Sequence, residues 1–158
     1  MALNLQAAKI NAAVSSEGRW VMLSEGGEVL VARWDNPAFR SLQTKLQQEY
    51  RRPAPGRKHI KGRTVPPEIA EEMNYRLVLD TILLDWRDIE ESPGAAFPYS
   101  KGNAKDLLGK EEYRWIFDEI VNAALDESSY RAEELEEDIE NLPRSLPGNS
   151  NMVRTLTG

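Results

Sequence analysis

Between Tyr75 and Leu108 the chain reads YRLVLDTILLDWRDIEESPGAAFPYSKGNAKDLL, and the first half of that stretch constrains the fold most. Leu77, Val78, Leu79, Ile82, Leu83, Leu84 and Trp86 spread apolar side chains most of the way round a helix. A helix apolar on nearly all sides has to be buried by several neighbours. The pattern therefore predicts a long core helix. Thr64-Val65-Pro66-Pro67-Glu68 opens it, with Pro67 suited to the first turn and Glu68, Glu71 and Glu72 to the positive end of the helix dipole. Ile69, Met73, Leu77 and Leu84 mark its main face. Ser92-Pro93-Gly94 then makes a turn, and Phe97-Pro98-Tyr99 is expected to fold back beside Trp86. Ser100 suits the N-cap of a short helix, Lys101 to Leu108, that Gly109 stops.

The other elements follow from local pattern. Leu3, Leu5, Ala8, Ile10 and Val14 make residues 1–17 weakly amphipathic, and a flexible N-terminal segment is expected there. Residues 18–35 switch to period two, with Ser24-Glu25-Gly26-Gly27 between two strand-like runs, which predicts a β-hairpin. Trp20 and Trp34 are its expected core-facing anchors. Asn36 and Pro37 start a helix carrying Phe39, Leu42, Leu46 and Tyr50, which ends near Arg51 because Pro53 and Pro55 follow. Glu111 to Leu125 is amphipathic. Ser129 suits the cap of a last, acidic helix over 130–142, and residues 143–158 have the composition of a disordered tail. The fold class expected is mainly α: a small helical domain over 18–142 with one N-terminal β-hairpin.

Composition enters where chemistry is asked for. The chain has no Cys, so it has no disulfides and no thiolate sites, as fits a reducing cytosol. Its only His, His59, has no partner with which to make a zinc site. No phosphate loop, dinucleotide fingerprint or nucleophile elbow occurs. Asp80, Asp85, Asp88, Glu90 and Glu91 do not follow a calcium-loop spacing. No enzymatic activity and no cofactor are expected. No apolar run approaches the ~18 residues of a membrane span. The net charge of −6 argues against bulk nucleic-acid binding. Against that acidity stands one basic loop, Arg51 to Arg63, with Arg51, Arg52, Arg57, Lys58, Lys61 and Arg63 and no acid. It reads either as a docking arm for an acidic partner or nucleic acid, or as a solvated loop that offsets the acidic C-terminal helices.

A wider order of motifs is present. Gly18-Arg19-Trp20-Val21, Val31-Ala32-Arg33-Trp34, Asn36-Pro37-Ala38-Phe39 and Tyr50-Arg51-Arg52 precede Leu83-Leu84-Asp85-Trp86. Phe97-Pro98-Tyr99-Ser100, Asn103 to Leu108, Trp115 to Val121 and Tyr130-Arg131 follow it. Over about residues 18–142 this order resembles the tail assembly chaperones of long-tailed bacteriophages. The resemblance implies a protein of the host cytoplasm that coats the tape measure protein, recruits tail tube subunits and is absent from the finished virion. Such chaperones are often made in a short form and in a frameshifted longer form, and the ending Asn141 to Gly158 fits a short form.

Partner contacts are expected at Arg51, Arg52, Arg57, Lys58, Lys61 and Arg63, and at the aromatic clamp of Trp86, Phe97 and Tyr99. Self-association is also expected, with the basic loop of one copy meeting the acidic 130–142 helix of the next. A structural neck or tail-completion protein, and a nucleic-acid module using residues 51–63, are the alternative functions.

Overall fold

A computed structural model describes residues 2–126 and Tyr130. Near the N-terminus, α1 (Leu5–Ala8) is followed by α2 (Ala12–Glu17), and the Asn11 side chain caps α2 by accepting from the Ala13 and Val14 amides. Val14 and Ser15 are buried, and the Ser15 carbonyl accepts from the Arg33 amide at 3.0 Å. The segment expected to be flexible thus carries helical turns set against the hairpin's exit.

β1 (Arg19–Met22) and β2 (Glu28–Val31) form the predicted hairpin, with Gly26 and Gly27 supplying the positive φ of its turn. A lone hairpin is marginal in water and needs something to lie on. Here β3 (Leu83–Arg87) pairs antiparallel with β2, so the sheet order is β1-β2-β3 with β2 in the middle. Val29 and Val31 face inward; Trp20, Met22 and Arg87 face out.

α3 (Pro37–Arg51) begins at the Asn36 cap as the sequence indicates, and α4 (Pro67–Leu77) begins at Pro67. The predicted core helix does not run on to Trp86. After Leu77 it widens into one π-helical turn, Val78–Ile82, and Leu83 leaves it as extended chain. The fold is therefore mixed α/β, with antiparallel sheets of three and two strands, and not a mainly helical domain with one hairpin. The cause lies in the register. Leu30 pairs with Asp85 and Val31 with Leu83, so Leu84 bulges out of the ladder. The bulge turns both Leu83 and Trp86 to the core, although period two would place them on opposite faces. Apolar residues three apart look like a helix stripe, and an apolar run of this length does not by itself separate buried strand from buried helix.

β4 (Glu90–Ser92) and β5 (Ala95–Ala96) form a second small hairpin around Pro93-Gly94. α5 (Lys101–Leu108) starts at Ser100, whose hydroxyl accepts from the Asn103 amide. A 3₁₀ turn, Glu111–Tyr113, leads into α6 (Arg114–Leu125). The inner face of the sheet and the apolar faces of α3 to α6 share one core, with Leu46, Leu77, Ile82, Leu83 and Ile120 fully enclosed. Each such side chain contributes about 1.5–3 kcal/mol by leaving water. The Tyr130 hydroxyl donates to the Val31 carbonyl at 3.0 Å and is buried against the sheet. The rest of the expected acidic helix, 131–142, and the tail 143–158 lie outside the described residues.

Candidate protein-docking site

The aromatic clamp closes as the sequence suggests. The Trp86 and Phe97 rings stack at 5.6 Å, and Tyr99 meets Trp86 edge-on at 5.2 Å. The Trp86 indole N–H donates to the Phe97 carbonyl at 2.6 Å, and the Tyr99 hydroxyl to the Leu83 carbonyl at 3.4 Å. Burial pushes the Tyr99 phenol above its usual range. Trp86 is only 5% exposed, so it props the clamp from inside, while Phe97 and Tyr99 are half-buried.

Phe97 also lines an open cleft of about 420 Å³ between the β1–β2 turn, the β3–β4 link and the α5–α6 junction. Close contacts fix its walls. Gly27 sits at φ +82°, and a Cβ there would stand 3.0 Å from the Asp88 carbonyl oxygen. The Phe97 amide donates to the Ile89 carbonyl at 2.8 Å. On the far side the Ser24 amide donates to the Glu119 carboxylate at 2.9 Å, tying the hairpin tip to α6. The floor is apolar and aromatic: Leu23, Ile89, Phe97, Leu107, Tyr113 and Trp115. The rim is acidic. Glu25, Glu90 and Glu91 are exposed and have no ion-pair partner among the described residues; Asp88 is exposed beside the Arg87 cation, and Asp106 pairs with Lys110 at 3.6 Å. The sequence hinted at this only through the run of acids after Trp86; the contribution of Glu25, Tyr113 and Trp115 depends on tertiary contact.

The basic loop is a separate feature and does not line the cleft. It is held by its own side chains. Ile60 is buried and its amide donates to the Tyr50 carbonyl at 2.7 Å. The Arg57 guanidinium lies 4.6 Å over the Tyr50 ring and donates to the Glu49 and Arg52 carbonyls, each at 3.1 Å. Arg51 donates to the Gly62 carbonyl at 2.8 Å, and Lys58 pairs with Glu68, whose carboxyl it holds below the usual range. Glu49 is lowered likewise, first by its hydrogen bond from Arg76. Arg52, Lys61 and Arg63 remain exposed, and of these Arg52 acts on the Glu49 carboxylate through its charge. Half of the predicted basic contacts thus build the loop, and half point to solvent.

Among the described residues, no three His, Asp or Glu side chains converge to hold a metal ion, and no helix is long and apolar enough to cross a membrane. The cleft joins an aromatic floor, whose chemistry suits apolar groups, to an acidic rim, whose chemistry suits cations. The family model of the YdaY prophage protein matches residues 34–141, more than half of the 158-residue chain. The chain belongs to the YdaY prophage protein family. It is thus a phage-derived protein, and the matched span covers α3 to α6, both walls contributed by the β3–β4 link and α5, and the basic loop. No curated protein and no solved structure matches it.

Proposed function

We propose that this prophage-family chain is a non-enzymatic tail assembly chaperone. It binds the tape measure protein and recruits tail tube subunits in the host cytoplasm during tail morphogenesis. The observation that carries the reading is the acid-rimmed aromatic cleft. A long helical client exposes apolar stripes that aggregate unless covered, and an amphipathic segment laid in an apolar groove is covered. Acids on the rim favour client segments whose stripe is flanked by Lys or Arg and disfavour acidic ones.

Co-expression with the tape measure and tail tube proteins of the same phage genome, followed by pull-down, tests this. Co-purification of the tape measure protein, lost in Glu90→Lys/Glu91→Lys, is the expected result. Failure to capture it in soluble form rejects the reading. Mass spectrometry of purified particles gives a second check. The chain is expected to be absent from virions; its presence there in stoichiometric amount replaces the chaperone with a neck or tail-completion protein.

A further inference from the structure

Arg52-Pro53-Ala54-Pro55 crosses the surface beside α3 and takes no part in the cleft. Arg52 sits at φ −82°, ψ 129°, close to polyproline II geometry. The two prolines fix their own φ, and Ala54 is pushed toward extended geometry by the Pro that follows it. Gly56, at φ +69°, then closes a tight turn in which the Arg57 amide donates to the Ala54 carbonyl at 3.3 Å. Arg57 on the Tyr50 ring and Arg51 on the Gly62 carbonyl hold this shape. Pro53, Pro55 and Arg52 are exposed. The result is a preformed, proline-rich ridge with an exposed cation at its start.

The cleft has the complementary chemistry. Aromatic grooves recognise polyproline II segments because the ligand is already extended and loses little entropy on binding. Phe97, Tyr113 and Trp115 are each partly exposed in the cleft, and Glu25, Glu90 and Glu91 stand on its rim without cations of their own. The ridge is anchored to α3 through Ile60 and Arg57, so the ridge that enters a cleft belongs to another molecule.

We infer that the cleft of one copy binds the Arg52–Pro55 ridge of a second copy, so that chains of this protein assemble head to tail before a client displaces the ridge. This rests on the cleft being a polypeptide-docking site and adds what fills it when no client is present. The contact is heterologous: ridge and cleft are different surfaces, so each added copy presents a fresh cleft or ridge. A client that enters the cleft with its own apolar and basic side chains competes with the ridge, and loading then disassembles the store.

Sedimentation velocity on the full chain, with paired variants, decides it. The ridge variant is Arg52→Glu/Pro53→Ser/Pro55→Ser, and the cleft variant is Glu90→Lys/Glu91→Lys; all five positions are exposed, and circular dichroism checks that each folds. Wild type is expected to grow beyond a dimer with concentration, and to weaken at least about tenfold between low and high salt. Each variant alone is expected to stay monomeric, and an equimolar mixture to form a one-to-one dimer that grows no further, because only one working ridge and one working cleft remain. A synthetic peptide of residues 49–59, added in excess to wild type, is expected to dissolve the oligomers and gives the same reading should a variant misfold. A monomeric wild type, a mixture that stays monomeric, or oligomers indifferent to the peptide overturns the inference. A monomeric wild type that still captures the tape measure protein rejects the head-to-tail contact alone. Client capture indifferent to the cleft variant rejects the docking reading instead.

Discussion

Trp86 is bonded to Phe97 twice over: its indole N–H donates to the Phe97 carbonyl at 2.6 Å, and the two rings stack at 5.6 Å. The strand end and the start of the α5 approach are thereby one unit, and the cleft wall hangs on it. Trp86→Leu removes ring volume and leaves the carbonyl without its donor, which should cost about 3 kcal/mol. Trp86→Phe keeps most of the ring and loses the donor alone, for about 1 kcal/mol. Urea unfolding of both variants checks the order; equal losses would mean that the ring volume contributes nothing beyond the hydrogen bond.

Trp20 makes the opposite prediction. It lies on the outer face of β1, 36% exposed, with the Arg87 guanidinium 3.9 Å over its ring and Arg87 held by Glu28 at 2.7 Å. It is not the core anchor that the strand pattern suggests. Trp20→Ser should therefore cost only about 1 kcal/mol, the worth of a solvent-side cation–π contact and a partly covered ring. Acrylamide should quench Trp20 fluorescence, isolated by replacing the other indoles with Phe, far more than that of Trp86. A loss as large as that of Trp86→Leu would place Trp20 in the core after all.

Asn36 joins three elements. Its Oδ1 accepts from the Phe39 amide at 3.0 Å, and its Nδ2 donates to the Arg33 and Thr81 carbonyls at 2.8 and 3.2 Å. It is 2% exposed, so water cannot replace these bonds. Asn36→Ala loses the cap and strands two carbonyls, for about 3 kcal/mol. Asn36→Asp is the sharper test. At an ordinary N-cap that change is nearly neutral, but here a carboxylate faces two carbonyls with no N–H to offer. Thermal melts near neutral pH should show Asp almost as destabilised as Ala; a wild-type melt for Asp would reduce Asn36 to a simple cap.

Much of this architecture was legible because it is locally encoded. Asn36-Pro37, Ser100 and Gly109 mark helix ends through their own side chains or the lack of one, and Gly26-Gly27 marks a turn through backbone freedom. The fate of Leu83-Leu84-Asp85-Trp86 is not local. Its i, i+3 apolar spacing suits a helix face and a bulged strand equally, and the edge of β2, far away in sequence, selects the strand. The candidate site divides in the same way. The clamp of Trp86, Phe97 and Tyr99 and the basic loop came from runs of neighbours. The cleft combines Glu25, Glu90, Tyr113 and Trp115 from three distant segments, and no spacing in the chain announces that they meet.

Tyr130 gives the chain a dependence on alkaline pH. Its ring is 1% exposed, its hydroxyl donates to the Val31 carbonyl at 3.0 Å, and burial, first among its causes, pushes the phenol from 10.0 up to about 12. The folded state therefore holds the proton more tightly than the unfolded chain does. Below pH 10 both states keep it and the contribution of Tyr130 is intact; between 10 and about 12 only the unfolded state gives it up, so stability falls as pH rises through that window. Tyr75 and Tyr99 are also raised by burial and add to the same slope. Tyr130→Phe loses the hydrogen bond to Val31, so it should melt lower at neutral pH, by about 1 kcal/mol. It has no proton to release, so its melting temperature should decline less steeply than that of wild type across the alkaline window. Absorbance at the tyrosinate band, followed alongside the melts, should show one late-titrating phenol missing in the variant. Parallel alkaline slopes for the two proteins would mean that Tyr130 ionises as freely in the folded chain as in the unfolded one, and that its hold on β2 is not what the geometry indicates.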